Sequence, residues 1–196
     1  VTYDANGGTG NVPVDGSSPY PEGSTVTVWG NVGTPTPLSK AGHIFDGWNT
    51  QADGGGTSYQ AGNSFTMPAA AVTLYARWTP AYTITYDANT GTGNVPVDAN
   101  SPYAVGANVT VLGNVGTPTP LSKAGHIFDG WNTQADGGGT SYQAGSSFNM
   151  PAAAVTLYAK WSATYSVTYD ANTGTGSVPI DANSPYEVGV SVTVLG

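Results

Sequence analysis

Cysteine is absent from the 196 residues. That excludes disulfide staples and thiolate metal sites, and it fits an exposed extracellular polymer. Charge is scarce too. Ionisable Asp, Glu, Lys and Arg make up 8% of the chain, against about 25% in an ordinary globular domain. Only four residues are Lys or Arg against twelve Asp or Glu, a net charge of −8. No basic patch exists to displace counterions from phosphate, so nucleic acid is excluded as a partner and an anionic membrane surface is disfavoured. No apolar run approaches the roughly 20 residues of a membrane-spanning helix, so membrane insertion is not expected. Uninterrupted stretches are short as well, because 14 Pro and 28 Gly punctuate the chain. Helices of normal length have little room. Solubility falls to Thr, Ser, Asn, Gln and Gly.

What the chain has is repetition. The 33 residues from Gly30 to Gly62 return unchanged as Gly113 to Gly145, a period of 83. Tyr3-Asp4-Ala5-Asn6 recurs at Tyr86 and Tyr169, Trp48 at Trp131, and Trp78 at Trp161. A fixed period of this kind marks an array built from one small module. Copy one runs over 1–80 and copy two over 81–163. Copy three, 164–196, covers only the first half of the pattern, so a longer parent array is expected. Enzymes rarely carry several copies of one active site in a chain, whereas stalks, filaments and multivalent binders are copies by construction. A unit of about 80 residues can just sustain its own core.

Between the breaks the pattern has period two. Val72, Leu74, Ala76 and Trp78 alternate with Thr73, Tyr75 and Arg77, a half-buried strand. Tyr82 to Tyr86, Thr25 to Val28 and Asn108 to Leu112 read as strands, as does His43 to Trp48 with a bulge at Gly47. Asn6-Gly7-Gly8 and Asp53-Gly54-Gly55-Gly56 supply turns that tolerate positive φ. Thr34-Pro35-Thr36-Pro37 is expected to be extended, and Met67-Pro68-Ala69-Ala70-Ala71 to make a single helical turn. The reading is five strands per copy, mainly β with little or no helix. Only three residues, Thr79-Pro80-Ala81, separate Trp78 from the next strand. Three residues span at most ~10 Å, so adjacent modules are expected to form a semi-rigid rod, with room for strand pairing across the junction.

The string Ala41-Gly42-His43-Ile44-Phe45-Asp46-Gly47-Trp48-Asn49-Thr50, then Gly54 to Tyr59, Met67-Pro68 and Val72 to Trp78, resembles the Listeria–Bacteroides repeat, also called the internalin-type B-repeat. The opening Val1 to Gly8 matches the start of that family. The likeness covers copies one and two end to end and the first half of copy three. It implies small β-grasp-like modules carried in tandem by bacterial surface and secreted proteins, associated with adhesion or with spacing another domain from the cell. It brings no catalytic residues. Near-identity between neighbouring copies suits a homopolymeric stalk or filament better than a set of different binding modules.

Residues with chemical potential are few. His43 and His126 share one repeat position with no second His nearby, so a strand or sheet-edge role is expected and not a metal site. Asp4, Asn6 and Asp15 offer at most a loose calcium site, because the remaining ligands of a calcium loop are missing. Lys40 and Lys123 lie in a Pro/Gly-rich loop, and Lys160 is replaced by Arg77 in copy one. An isopeptide cross-link from lysine is therefore disfavoured. Glu22 is replaced by Ala104. Trp48 and Trp131 with Tyr59 and Tyr142 make either a sugar-stacking platform or a core, and their place beside Phe45 and Leu74 points to the core. Trp29 aligns with Leu112 and Leu195, so that position asks for apolar bulk. Gly54-Gly55-Gly56 lacks the Lys and helix of a phosphate loop. No catalytic, cofactor-binding or metal residue is assigned.

The expected function is an extracellular structural segment of a cell-surface stalk, adhesin or filament, without catalysis or cofactors. Its partners would be neighbouring copies of itself through β contacts. The alternative is a multivalent module that binds glycans or a host protein.

Overall fold

A computed structural model describes residues 1–196, and they contain no helix. In chain order the first strands are β1 (Thr2–Asp4), β2 (Thr25–Thr27), β3 (His43–Asn49), β4 (Ser58–Tyr59), β5 (Ser64–Thr66), β6 (Thr73–Tyr82) and β7 (Ile84–Asp87). They are followed by β8 (Tyr103–Ala104), β9 (Asn108–Thr110), β10 (His126–Asn132), β11 (Ser141–Tyr142), β12 (Ser147–Asn149), β13 (Val155–Tyr165) and β14 (Tyr186–Glu187). The chain divides into two compact units. Unit 1 is Val1–Thr83 with Pro102–Ala107 and Met150–Ala153, and unit 2 is Ile84–Ser101, Asn108–Asn149 and Ala154–Gly196.

In unit 1 a mixed sheet has the order β1-β6-β3-β4, with β8 on the far end of β6. β1 runs parallel to β6 with Tyr3 opposite Leu74, and β3 pairs antiparallel to β6 with Trp48 opposite Ala76. The alternation read from the sequence is realised at its centre, whereas Val72 and Trp78 at its ends are only half-buried. Leu74 and Ala76 are fully buried, while Thr73, Tyr75 and Arg77 between them are half-exposed. Trp48 is 0% exposed and lies between two rings, Tyr3 at 4.7 Å and Phe45 at 5.0 Å, with Trp78 edge-on to Phe45 at 5.8 Å. A ring of that size, wholly removed from water, is the largest single apolar contribution a small module can make. Val28 and Leu38 close the cluster. A second ribbon, β2 with β5, places Val26 opposite Phe65.

Unit 2 repeats the plan. β7 runs parallel to β13 with Tyr86 opposite Leu157, β10 pairs antiparallel to β13, and Trp131 is 0% exposed against Tyr86 at 4.7 Å. Thr164 and Tyr165 at the end of β13 pair with Glu187 and Tyr186 of β14.

The bulge read at Gly47 is present, since the β3–β6 register shifts between Phe45 and Trp48. Gly47 has φ +88, and a Cβ there would lie 2.5 Å from the Tyr59 carbonyl oxygen, so the strand passes too close to its neighbour for any side chain. Other expectations need correction. Met67 to Ala71 forms a bend and no helical turn. Ala69 and Ala70 are exposed, so nothing packs on them to offset the cost of nucleating a single turn. The strand read over Tyr82 to Tyr86 is broken at Thr83, with Tyr82 ending β6 and Ile84 starting β7. Copy one has six strands, not five; β4 and β5 are two and three residues long, too short to show a period.

Candidate functional site

The surface feature that recurs in both units is a shallow polar groove beside the turn that follows the first strand. In unit 1 it has a volume of about 220 Å³ and is lined by Asn6, Lys40, Asp53, Arg77 and Trp78 among others. Its counterpart in unit 2, about 370 Å³, has Asn89, Lys123, Asp136, Lys160 and Trp161. The turn is tight, with Gly8 N–H donating to the Ala5 carbonyl at 2.9 Å and positive φ at both Asn6 and Gly7. Asn6 Nδ2 donates to the carbonyls of Ala52 and Ala76 at 2.8 and 3.0 Å, which ties the turn to the Gly-rich loop and to β6. Trp78 Nε1 donates to the Ala5 carbonyl at 2.9 Å, so its indole edge is part of the frame.

Charge in the groove is mostly spent. Arg77 pairs with Asp46 at 2.9 Å and Lys160 with Asp129 at 2.8 Å. The Lys160 hydrogen bond holds the Asp129 carboxyl below its ordinary value, against a smaller opposing effect of burial. Lys40 and Lys123 form no ion pair, so each groove has one free ammonium. No group of three or more His, Asp and Glu side chains is placed to hold a metal ion. Chemically, the groove can offer hydrogen bonds, one ammonium and the carboxylate of Asp53 or Asp136 to a polar surface ligand.

The structure scatters the residues singled out from sequence. Asp4 accepts from the Asn6 amide at 2.8 Å, whereas Asp15 is buried and takes the Tyr20 hydroxyl at 2.9 Å. With Asn6 turned to backbone carbonyls, the three do not converge. His43 and His126 each donate from Nδ1 to a carbonyl two residues earlier, Ala41 and Ala124, at 2.8 Å. Trp48 and Trp131 are core residues that no sugar can reach, and Tyr59 and Tyr142 stack on Phe65 and Phe148 at 5.4 and 5.2 Å. Trp29 is 42% exposed. What its position supplies is backbone, because its N–H donates to Tyr3 Oη at 2.9 Å and its carbonyl accepts Trp48 Nε1 at 2.8 Å. Leu112 does the same for Tyr86 and Trp131. Burial raises the Tyr3 phenol above its ordinary value, the Trp29 N–H opposing, and Tyr86 behaves likewise.

One important residue escaped the sequence reading. Asn49, 1% exposed, accepts from the amides of Gln51 and Gly56 and donates to the carbonyls of Gly54 and Gly56 and to Ser58 Oγ, all at 2.8–3.2 Å. It closes the Gly54-Gly55-Gly56 loop from inside, and Asn132 repeats the network. The available signal was an Asn directly after a core Trp and before a glycine-rich turn.

Fold and surface together define a small mainly β module, used in tandem, whose polar groups chiefly brace its own loops. Residues 1–77 and 82–160 each match the Listeria-Bacteroides repeat domain, and the chain belongs to that family. It is also similar to two proteins of Evansella cellulosilytica. It is 36% identical to one named "Putative Gly-rich membrane protein", over 98% of this chain and 21% of that protein. It is 32% identical to one named "Putative membrane protein", over 82% of this chain and 22% of that protein. The chain thus spans about a fifth of the length of these curated relatives. No helix in it is long and apolar enough to cross a membrane.

Proposed function

We propose that the chain is a structural segment of a bacterial cell-surface protein, holding other parts of that protein away from the cell without catalysis of its own. The observation that carries this reading is that a 33-residue run, unchanged between copies, builds the same aromatic core twice around Trp48 and Trp131. Two relatives named as membrane proteins, each about five times the matched length, support a surface location for a segment of this kind. The test is protease treatment and antibody labelling of intact cells of the source organism, followed by deletion of one 83-residue period. Labelling of intact cells and a shorter reach of the flanking domains after the deletion are expected. A segment found only inside the cell refutes the proposal.

A second reading, multivalent glycan or protein binding, draws on the groove that occurs in both units. Repetition would turn weak single-site binding into avidity. Glycan-array binding that disappears in the Lys40→Ala/Lys123→Ala variant would favour it; the buried Trp48 is no part of such a surface.

A further inference from the structure

The end of β6 turns aside from the Leu74 sheet and adds to a short edge. Ala81 lies opposite Ala104 and Tyr82 opposite Tyr103. The end of β13 does the same, with Thr164 opposite Glu187 and Tyr165 opposite Tyr186. The Ala81 N–H is already donated to the Gly42 carbonyl at 2.9 Å, and Thr164 N–H to Gly125 at 2.8 Å. In an antiparallel pair, residues alternate between those that exchange hydrogen bonds and those that do not. The hydrogen-bonding positions therefore fall on the Tyr–Tyr pair, and the residue beside it needs no N–H.

The same edge exists a third time, one period earlier, as Tyr20–Pro21. It keeps the local form of the paired copies. Gly23 N–H donates to the Met67 carbonyl at 2.9 Å, as Gly106 does to Met150 at 2.8 Å, and Ser24 N–H donates to Pro21 as Ala107 does to Ala104. Yet no strand lies against it, and the Tyr20 backbone makes no hydrogen bond. Beside it opens a groove of about 330 Å³ lined by Val1, Tyr20, Glu22, Met67 and Ala69 among others. At the first paired edge Ala104 is half-buried and Met150 is 1% exposed, and at the second the charged Glu187 stays exposed; where the edge is bare, Pro21 is exposed and Met67 is 7% exposed. Pro21 does not block the site, because it stands at the position that donates nothing to the pair.

We propose that Tyr20–Pro21 and the adjoining groove form a strand-acceptor site. Its occupant is the end of a β6-type strand, of the pattern Trp-x-x-small-Tyr, joined in line one residue ahead of the Val1 position. The strand adds by main-chain pairing, with its Tyr set opposite Tyr20. The proposal deepens the structural reading above by giving the sequence repeats one direction of assembly, the last strand of each 83-residue copy pairing with the Tyr edge that follows it in the chain.

The test extends the full chain at its N-terminus with Arg-Trp-Thr-Pro-Ala-Tyr-Thr, the sequence of residues 77–83, and follows amide hydrogen exchange by NMR. Expected is at least a tenfold slowing at the Tyr20 amide, absent when the Tyr of the extension is replaced by Pro. No slowing, or equal slowing with the Pro variant, overturns the proposal. So does slowing in the unextended chain that grows with protein concentration, since a second molecule would then supply the strand. Each of these failures leaves the surface reading standing, because that reading is judged on intact cells.

Discussion

The turn after the first strand allows one test with its own internal control. In copy one the second turn residue is Gly7 with φ +80; in copy two it is Thr90 with φ +69. The left-handed region costs an L-residue roughly 1–2 kcal/mol through contact of its Cβ with the backbone, a cost glycine escapes. Glycine in turn gives the unfolded chain more freedom, worth about 0.5–1 kcal/mol against it. Space decides nothing further, since a Cβ on Gly7 would meet only Lys40 Nζ, at 3.6 Å. The difference leaves glycine favoured by about 0.5–1 kcal/mol. Thr90→Gly should therefore stabilise unit 2, and Gly7→Thr should destabilise unit 1 by a similar amount. For a unit of this size that is a shift of about 2–8 °C in Tm. Hydrogen exchange read by mass spectrometry on peptides from 25–66 and 108–149 assigns each effect to its unit. Thr90→Gly lowering protection, or both substitutions moving stability in the same direction, would refute the backbone argument.

Other expectations follow from the same geometry. Gly47→Ala places a Cβ 2.5 Å from the Tyr59 carbonyl at φ +88, so a loss above about 2 kcal/mol in the free energy of urea unfolding is expected; a loss under ~0.5 kcal/mol would mean β4 can simply shift. Asn49→Ala leaves a cavity where a 1%-exposed side chain sat and takes the acceptor from the part-buried Gln51 and Gly56 amides, and should cost about 1–3 kcal/mol. Asn49→Asp should recover little, because a carboxylate would face the Gly54 and Gly56 carbonyls, and equilibrium unfolding compares the two. The lowered pKa of Asp129 has a definite sign. Its stabilising contribution is present above the unfolded carboxyl value near 4 and is lost as pH falls through the lowered folded value. The Tm difference between the parent chain and Asp129→Asn should thus shrink in acid; a constant gap contradicts it. Tyr3 and Tyr86 are raised, so their contribution is present below about pH 10 and is lost as pH rises through the raised value. A spectrophotometric phenol titration of the parent chain should show a late, unfolding-linked step that becomes smaller in Tyr3→Phe.

Much of the sheet was legible because burial leaves a period. Leu74, Ala76 and Trp78 announced the central strand, and the Gly47 bulge followed from a glycine set between Phe45 and Trp48. What stayed hidden acts without a period. β4 and β5 are too short to alternate, and their pairing is fixed by partners up to 41 residues away, as Thr25 opposite Thr66 shows. The break at Thr83 was invisible because Tyr82, Ile84 and Tyr86 alternate correctly, although Tyr82 and Ile84 belong to different strands. Asn49 looked like an ordinary turn residue, since a polar side chain declares a buried role only once its five hydrogen bonds, to four residues, are in place. The groove was equally hidden: Asn6, Lys40 and Arg77 are far apart in sequence and meet only through the parallel pairing of β1 with β6.

The differences between the copies are a substitution series that the chain carries within itself, and they follow hydrogen-bonding capacity more than side-chain identity. Arg77 becomes Lys160, and the ion pair to the equivalent carboxylate persists at 2.9 and 2.8 Å. Thr79 becomes Ser162, and the hydroxyl still reaches that carboxylate, at 3.3 and 3.2 Å. Asn63 becomes Ser146, and a side-chain oxygen still accepts the amide three residues earlier, at 2.8 and 3.2 Å. Trp29 becomes Leu112 without disturbing the two backbone hydrogen bonds made there. Inside the core exchange is rare: Val1 becomes the buried Ile84 and the buried Ala81 becomes Thr164, whereas Val26, Val28, Leu38, Trp48, Met67, Leu74 and Ala76 reappear unchanged as Val109, Val111, Leu121, Trp131, Met150, Leu157 and Ala159. Close packing tolerates no change of volume without loss, whereas an exposed polar contact needs only a donor or acceptor in reach. Variation concentrated in the second class, with only Val1 to Ile84 and Ala81 to Thr164 in the first, is what selection on a folded frame leaves behind.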